Sequence, residues 1–130
     1  MIHWTAPKAM LAGIGVFVLG QMAYFEFSHH ELLRLLLLGT PGFAAFVAAY
    51  LAPRWKIVVG MSMAIYGAVL GESMARSYEY FGGHVDRIGG LLATLAILLA
   101  YNGTLSIVGS AAGAFLSRKR KELHSVADEK

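Results

Sequence analysis

The chain contains no cysteine, and charged residues make up only 15% of its 130 positions. The lack of cysteine excludes disulfides, thiolate nucleophiles and metal sites built on thiolates. Hydrophobic residues make up 57%, which is well above the share found in soluble domains. Few residues are left over for a globular domain outside the apolar segments, so catalysis by such a domain is not expected.

The apolar residues are concentrated in four long stretches that the charged residues separate. A helix of about 17 to 25 apolar residues crosses a bilayer. The pattern therefore predicts an all-α membrane protein, with one integral-membrane domain over residues 1–130. The predicted transmembrane helices cover residues 9–27, 31–52, 55–76 and 88–117, and a basic tail follows at 118–130.

Basic residues predict the orientation of these spans. Most of them, including the run Arg118, Lys119, Arg120 and Lys121, fall on the side of both termini, and positive charge favours the cytoplasmic side. Short connections favour an up-down-up-down bundle. We therefore expect both termini in the cytoplasm and a bacterial inner membrane as the location.

The bilayer is the expected partner of the tail. The net charge of +3 comes mostly from that tail, so no nucleic-acid partner is predicted.

Small residues spaced four apart offer surfaces for close helix packing. Gly67 and Gly71 form one such pair, and Gly109 and Gly113 form another. Such pairs let two backbones approach, either within the monomer or across a homodimer. Pro41 falls near the middle of the second span, where it removes a backbone hydrogen bond and predicts a kink. That kink is either a packing bend or a source of freed carbonyls that line a pathway.

Four polar residues stand out as candidates for ion or proton binding. Glu72 lies late in the third span, where Arg76 follows at a spacing that allows an ion pair. Arg34 opens the second span and is an alternative partner for Glu72. Asn102 lies near the middle of the fourth span and can bridge helices. Glu72 is either structural, when paired, or a site of ion or proton exchange, when buried without a full partner.

Histidines and carboxylates near the first and third connections suggest a weaker hypothesis, a metal site. Imidazole and carboxylate together suit zinc, iron, copper or nickel. The alternatives are a solvated polar turn and a pH-sensing rim. The candidate ligands are Glu26, His29, His30, His84 and Asp86.

The sequence carries no recognisable catalytic motif, so no catalytic residue, cofactor or enzyme activity is predicted. Three functional hypotheses stay open. The first is a non-enzymatic interaction protein, such as an accessory subunit, assembly factor or immunity-type protein, which acts as a homo-oligomer or on a larger membrane partner. The second is a small oligomeric channel or transporter that uses Glu72 and Asn102. The third is a metal-binding membrane protein.

Overall fold

The computed structural model describes residues 3–27, 29–85 and 89–128. These residues contain five α-helices and no β-strand. Four helical segments are long and apolar enough to cross a membrane, which confirms the predicted all-α class and the predicted number of such segments. The second segment consists of two short helices in succession. The helices are α1 Ala6–Glu26, α2 Glu31–Leu37, α3 Thr40–Leu51, α4 Lys56–Tyr80 and α5 Leu91–Asp128.

Local chemistry explains where the helices stop. α3 ends at Leu51 because Ala52 precedes Pro53 and adopts an extended conformation. α4 ends at Tyr80, and two residues later Gly82 adopts a φ of 90°, which is accessible to glycine without a steric penalty. The N–H of Gly82 donates to Glu79 O, and the N–H of Gly83 donates to Tyr78 O, each at 3.0 Å. These two bonds form a Schellman cap that satisfies carbonyls at the end of α4.

The second span is interrupted, and not merely kinked as the sequence suggested. α2 ends at Leu37, and α3 begins at Thr40 with Pro41 in its first turn. Proline has no N–H to donate to the carbonyl four residues earlier, that of Leu37. The Thr40 hydroxyl donates to this carbonyl instead, at 2.6 Å. Pro41 itself is completely buried, so the interruption is packed inside the bundle.

The basic tail, which the sequence places after the fourth span from residue 118, is helical. α5 continues without a break to Asp128. The run that follows Ser117 contains neither glycine nor proline, and Arg, Lys, Glu and Leu all favour helix. The tail therefore projects from the bundle as an extension of α5.

The four candidate spans alternate in direction, because the start of α1, the end of α3, the start of α4 and the basic run of α5 meet at one end of the bundle. α3 is the central element, in contact with α1, α4 and α5. One end of the bundle brings together Trp4, Trp55 and the run that starts at Arg118, and we call it the basic end. The opposite end carries Glu26 and the connection between α4 and α5, and we call it the acidic end. α2 lies toward the acidic end and packs mainly against α1.

Small side chains dominate the helix contacts. Near the basic end, a buried cluster joins α1, α3 and α4. A Cβ at Gly109 would overlap the carbonyl oxygen of Gly42, and one at Gly113 would overlap the carbonyl of Phe46. These two glycines therefore mark the close approach of α5 to α3 within one chain. The buried cluster consists of Ala9, Ala45, Ala48, Ala52, Val59 and Met63.

The outward faces of the helices are strongly apolar. Leu19 of α1, Ile65 of α4 and Val108 of α5 are each more than 60% exposed. The buried positions, in contrast, include Glu72 and Asn102. Soluble monomers rarely expose such extensive apolar surface, because it favours aggregation in water. This distribution agrees with the membrane location that the sequence predicts.

Candidate functional site

A cavity of about 230 Å³ lies between α1, α4 and α5 in the half of the bundle nearer the acidic end. Part of its wall is apolar and consists of Phe17 and Phe25 of α1 and Leu98 of α5. The rest of the wall is unusually polar for a helix interface inside an apolar bundle. The polar side chains that line the cavity are Gln21, Tyr24, Glu72, Thr94, Tyr101 and Asn102.

Glu72 is the charged group of the cavity. Glu72 is only 6% exposed, and it lies in the second half of α4. Its Oε1 accepts a hydrogen bond from Arg76 Nε at 2.9 Å, and the side chain of Arg76 is 56% exposed. The predicted pairing within α4 is therefore present, and the guanidinium reaches the carboxylate from the outer surface. Arg34, the alternative partner, lies exposed on α2, which packs mainly against α1.

Asn102 occupies the wall opposite α4. It is 2% exposed, and its Nδ2 donates to Leu98 O at 2.8 Å within α5. This bond directs Oδ1 toward α4, where a Cβ built on Gly67 would lie 3.0 Å from it. Gly67 therefore leaves room for a buried amide between two helices. Gly71 is different, because a Cβ there would meet no atom within 4 Å, and the residue lines the cavity.

Tyr101 connects the cavity to the interruption in the second span. Its hydroxyl donates to the carbonyl of Leu38, which lies between α2 and α3. In a continuous helix, this carbonyl would accept from the N–H of the residue four positions later. The burial of Pro41 fits the packing interpretation, and the carbonyl of Leu38 beside the break is bonded by a side chain of the cavity wall. Freed carbonyls that line a pathway stay a hypothesis.

Thr94 is a member of the site that the sequence analysis did not identify. Its Oγ1 is buried and has no hydrogen-bond partner among the described residues. A buried hydroxyl without a partner costs about 1–3 kcal/mol, and a water or ligand in the adjoining cavity would remove this cost. Threonine is common in apolar helices and often bonds its own backbone, so sequence alone gave no signal for it.

The candidate metal ligands are not brought together. Glu26, His29 and His30 are exposed around the end of α1, and His84 is exposed in the connection between α4 and α5. Asp86 lies outside the described residues. Within the described part of the chain, no group of three or more histidines and carboxylates is close enough to hold a metal ion. Glu26 and its neighbours therefore form an exposed rim, and the cavity lies deeper, toward Glu72.

The cavity can hold a few small polar species. Water occupies about 30 Å³ per molecule in the liquid, so 230 Å³ corresponds to about eight molecules. A carboxylate, an amide oxygen and hydroxyls are ligands suited to hard cations and to protonated water. No family model matches this chain, and no match was found among curated proteins or solved structures, so these side chains are the basis for assigning a function.

Proposed function

We propose that the protein is an integral membrane protein that conducts a proton or a small cation through the cavity beside Glu72. The observation that carries the proposal is the burial of Glu72 and Asn102 against one cavity inside a bundle with an apolar outer surface. Ionisable residues at membrane depth are costly and mark ion or proton pathways. On this proposal, Glu72 binds the transported ion and Asn102 supplies a neutral oxygen.

The size and the chemistry of the cavity favour a small cationic species. Sites for drug-sized ligands measure about 300–1,000 Å³, so this cavity is too small for most organic substrates. Arg76 offsets part of the charge of Glu72 from the outer surface, and the carboxylate is the acidic group among the residues that line the cavity. The interrupted second span supports the same proposal, because interrupted helices commonly lie beside ion sites in transporters.

The experiment compares ion flux through purified protein in liposomes under an imposed membrane potential. A pH-sensitive dye inside the vesicles reports protons, and separate dyes report Na⁺ and K⁺. We expect Glu72→Gln to lower the rate by about tenfold or more, because a charged hydrogen-bonding group contributes about 1.5–3 kcal/mol. Glu31→Gln is the matched control, since it removes one carboxylate from an exposed position at the same end of the bundle.

Two results would contradict the proposal. The first is that vesicles containing the natural protein conduct none of the three ions faster than protein-free vesicles do. The second is that the Glu72→Gln and Glu31→Gln variants conduct at equal rates, which would mean that the buried carboxylate is structural. The dye that responds identifies the ion, since a pH change that is independent of Na⁺ and K⁺ indicates proton conduction.

We also propose a second function, that of an accessory or assembly protein that contacts a larger membrane partner through α2. None of the residues of α2 is buried, and Leu32 and Leu36 are 75% and 70% exposed. A groove of about 620 Å³ separates Leu36 from Leu19 of α1. A transmembrane helix of a partner could insert an apolar side chain into this groove and so replace the lipid there.

Photo-crosslinking in native membranes tests this second function. A photoreactive residue at Leu36 should give one discrete protein adduct, because a specific partner would occupy the groove beside α2. The control position is Ile65, which is 63% exposed on α4 and should label lipid without a discrete band. The second function fails if the two positions give the same products.

A further inference from the structure

Four cationic side chains converge on one groove at the basic end of the bundle. Arg54 lies in the turn between α3 and α4, Lys56 is the first residue of α4, and Arg118 and Lys121 come from the helical tail. The groove has a volume of about 430 Å³, and none of the described residues that line it is acidic. Like charges in close proximity repel one another, so this arrangement is stabilised when an anion is bound.

The same groove has apolar walls. Ile57 and Val58 line it and are 49% and 61% exposed, and Trp55 lines it with 76% of its surface exposed. Trp55 is the only described residue other than glycine with a positive φ, at 54°. That left-handed conformation is uncommon for a bulky residue. An indole beside aliphatic and cationic side chains is the composition expected at the headgroup level of a bilayer.

The first turn of α4 adds to the positive potential of the groove. Its N-cap residue, Trp55, provides no side-chain hydrogen bond to the N–H groups of that turn. The N-terminus of a helix carries a partial positive charge and binds phosphate through its N–H groups. Lys56 begins α4, and its ammonium already donates to the carbonyl of Ala52, which fixes this cation at the groove.

We infer that this groove binds the phosphate headgroup of an anionic phospholipid in the leaflet at the basic end. The four cations would bind the phosphate, and Ile57 and Val58 would contact the start of an acyl chain. Basic pockets between transmembrane helices bind anionic headgroups in the same way. The inference requires membrane insertion but does not depend on ion conduction by Glu72.

The tail supplies an internal comparison, because only two of its four consecutive cations line this groove. These two are Arg118 and Lys121, and Lys121 also lines a neighbouring groove with Arg120. Arg120 instead donates from Nη1 to Tyr50 Oη at 3.0 Å, and Lys119 lines a separate groove beside Leu116. A general attraction to an anionic surface would use all four cations equally, whereas a defined headgroup site would use one pair.

The experiment measures binding of short-chain phosphatidylglycerol to the full chain in a neutral detergent. A Trp4→Phe background leaves Trp55 as the fluorescent reporter, since the sequence has two tryptophans. We expect the double variant that combines Arg118→Gln and Lys121→Gln to raise the Kd for phosphatidylglycerol by about tenfold or more. Each such charge contributes about 1 kcal/mol beside an anionic surface. Lys119→Gln with Arg120→Gln is the matched control and should change the Kd by less than about threefold.

Further measurements define the ligand and the site. Phosphatidylcholine should not produce the signal, and inorganic phosphate should not compete with phosphatidylglycerol at comparable concentration. Arg54→Gln, which lies on the other side of the groove, should also weaken binding. Glu72→Gln should leave the Kd unchanged, which separates this inference from the proposed conduction.

The inference is overturned if the two tail pairs weaken binding equally, since attraction would then be diffuse. It is also overturned if phosphatidylcholine binds as well as phosphatidylglycerol. Equal competition by inorganic phosphate would show a free-anion site in place of a lipid site. Far-UV circular dichroism of each variant verifies that α5 remains helical, so that a loss of binding is not a loss of the tail.

Discussion

Individual residues at the helix contacts are small because the backbones themselves are in contact. Gly109 faces the carbonyl of Gly42, and Ser106 and Ser110 on the same helix are fully buried. In an apolar environment, burial of large aliphatic side chains gives little driving force, so close backbone packing must supply the association between helices. The residues on the outer surface, such as Leu19, have no comparable constraint.

Gly109→Ala should therefore destabilise the fold. The added methyl group would overlap the Gly42 carbonyl, and overpacking of this kind costs about 1–3 kcal/mol. Unfolding in mixed micelles with increasing SDS measures the change in the free energy of unfolding. Gly103→Ala is the matched control on α5, because a Cβ there would have no atom within 4 Å.

The control should be neutral or slightly stabilising, since alanine favours helix over glycine by about 1 kcal/mol. Both substitutions gain this preference, so the difference between them isolates the contact between α3 and α5. Equal stability of the two variants would mean that the helices do not approach as closely as described.

At the scale of the helices, the sequence predicted much of the fold. The four helical segments were identified because a run of apolar residues is a local signal that depends on length and composition. Two features of the helices were predicted incompletely. Pro41 indicated a kink, but the hydroxyls of Thr40 and of Tyr101 on another helix, which donate to carbonyls at the interruption, could not be predicted from it. The tail was separated from the fourth span by its charge, although charge does not end a helix.

The candidate site shows the same division between local and long-range information. Glu72 and Asn102 could be singled out because polar residues are conspicuous in apolar runs. Their arrangement around one cavity with Thr94 could not be predicted, since it depends on the relative orientation and spacing of α1, α4 and α5 near the acidic end. The pairing of Glu72 with Arg76 was predictable, because both lie on one helix at a fixed spacing.

For the whole molecule, the two ends of the bundle have different chemistry. The basic end has a cationic groove with an exposed indole, Trp55, and the acidic end has Glu26 at its rim and Glu72 in the cavity beneath. Positive charge is retained on the cytoplasmic side of a membrane. We therefore propose that the basic end faces the cytoplasm of a bacterial cell, which places the cavity in the outer half of the membrane.

Site-directed cysteine labelling tests this orientation without interference, because the natural chain has no cysteine. Phe81→Cys lies in the connection at the acidic end, where Phe81 is 84% exposed, and Ser125→Cys lies on the exposed tail. A maleimide that cannot cross the membrane should label Phe81→Cys in intact bacterial cells. It should label Ser125→Cys only after the cells are permeabilised, and the chain without cysteine should stay unlabelled in both conditions. The reverse pattern would invert the bundle and place the cationic groove in the outer leaflet. Labelling of both positions in intact cells would contradict a fixed orientation, since the two ends would then share one side or the protein would insert in both directions.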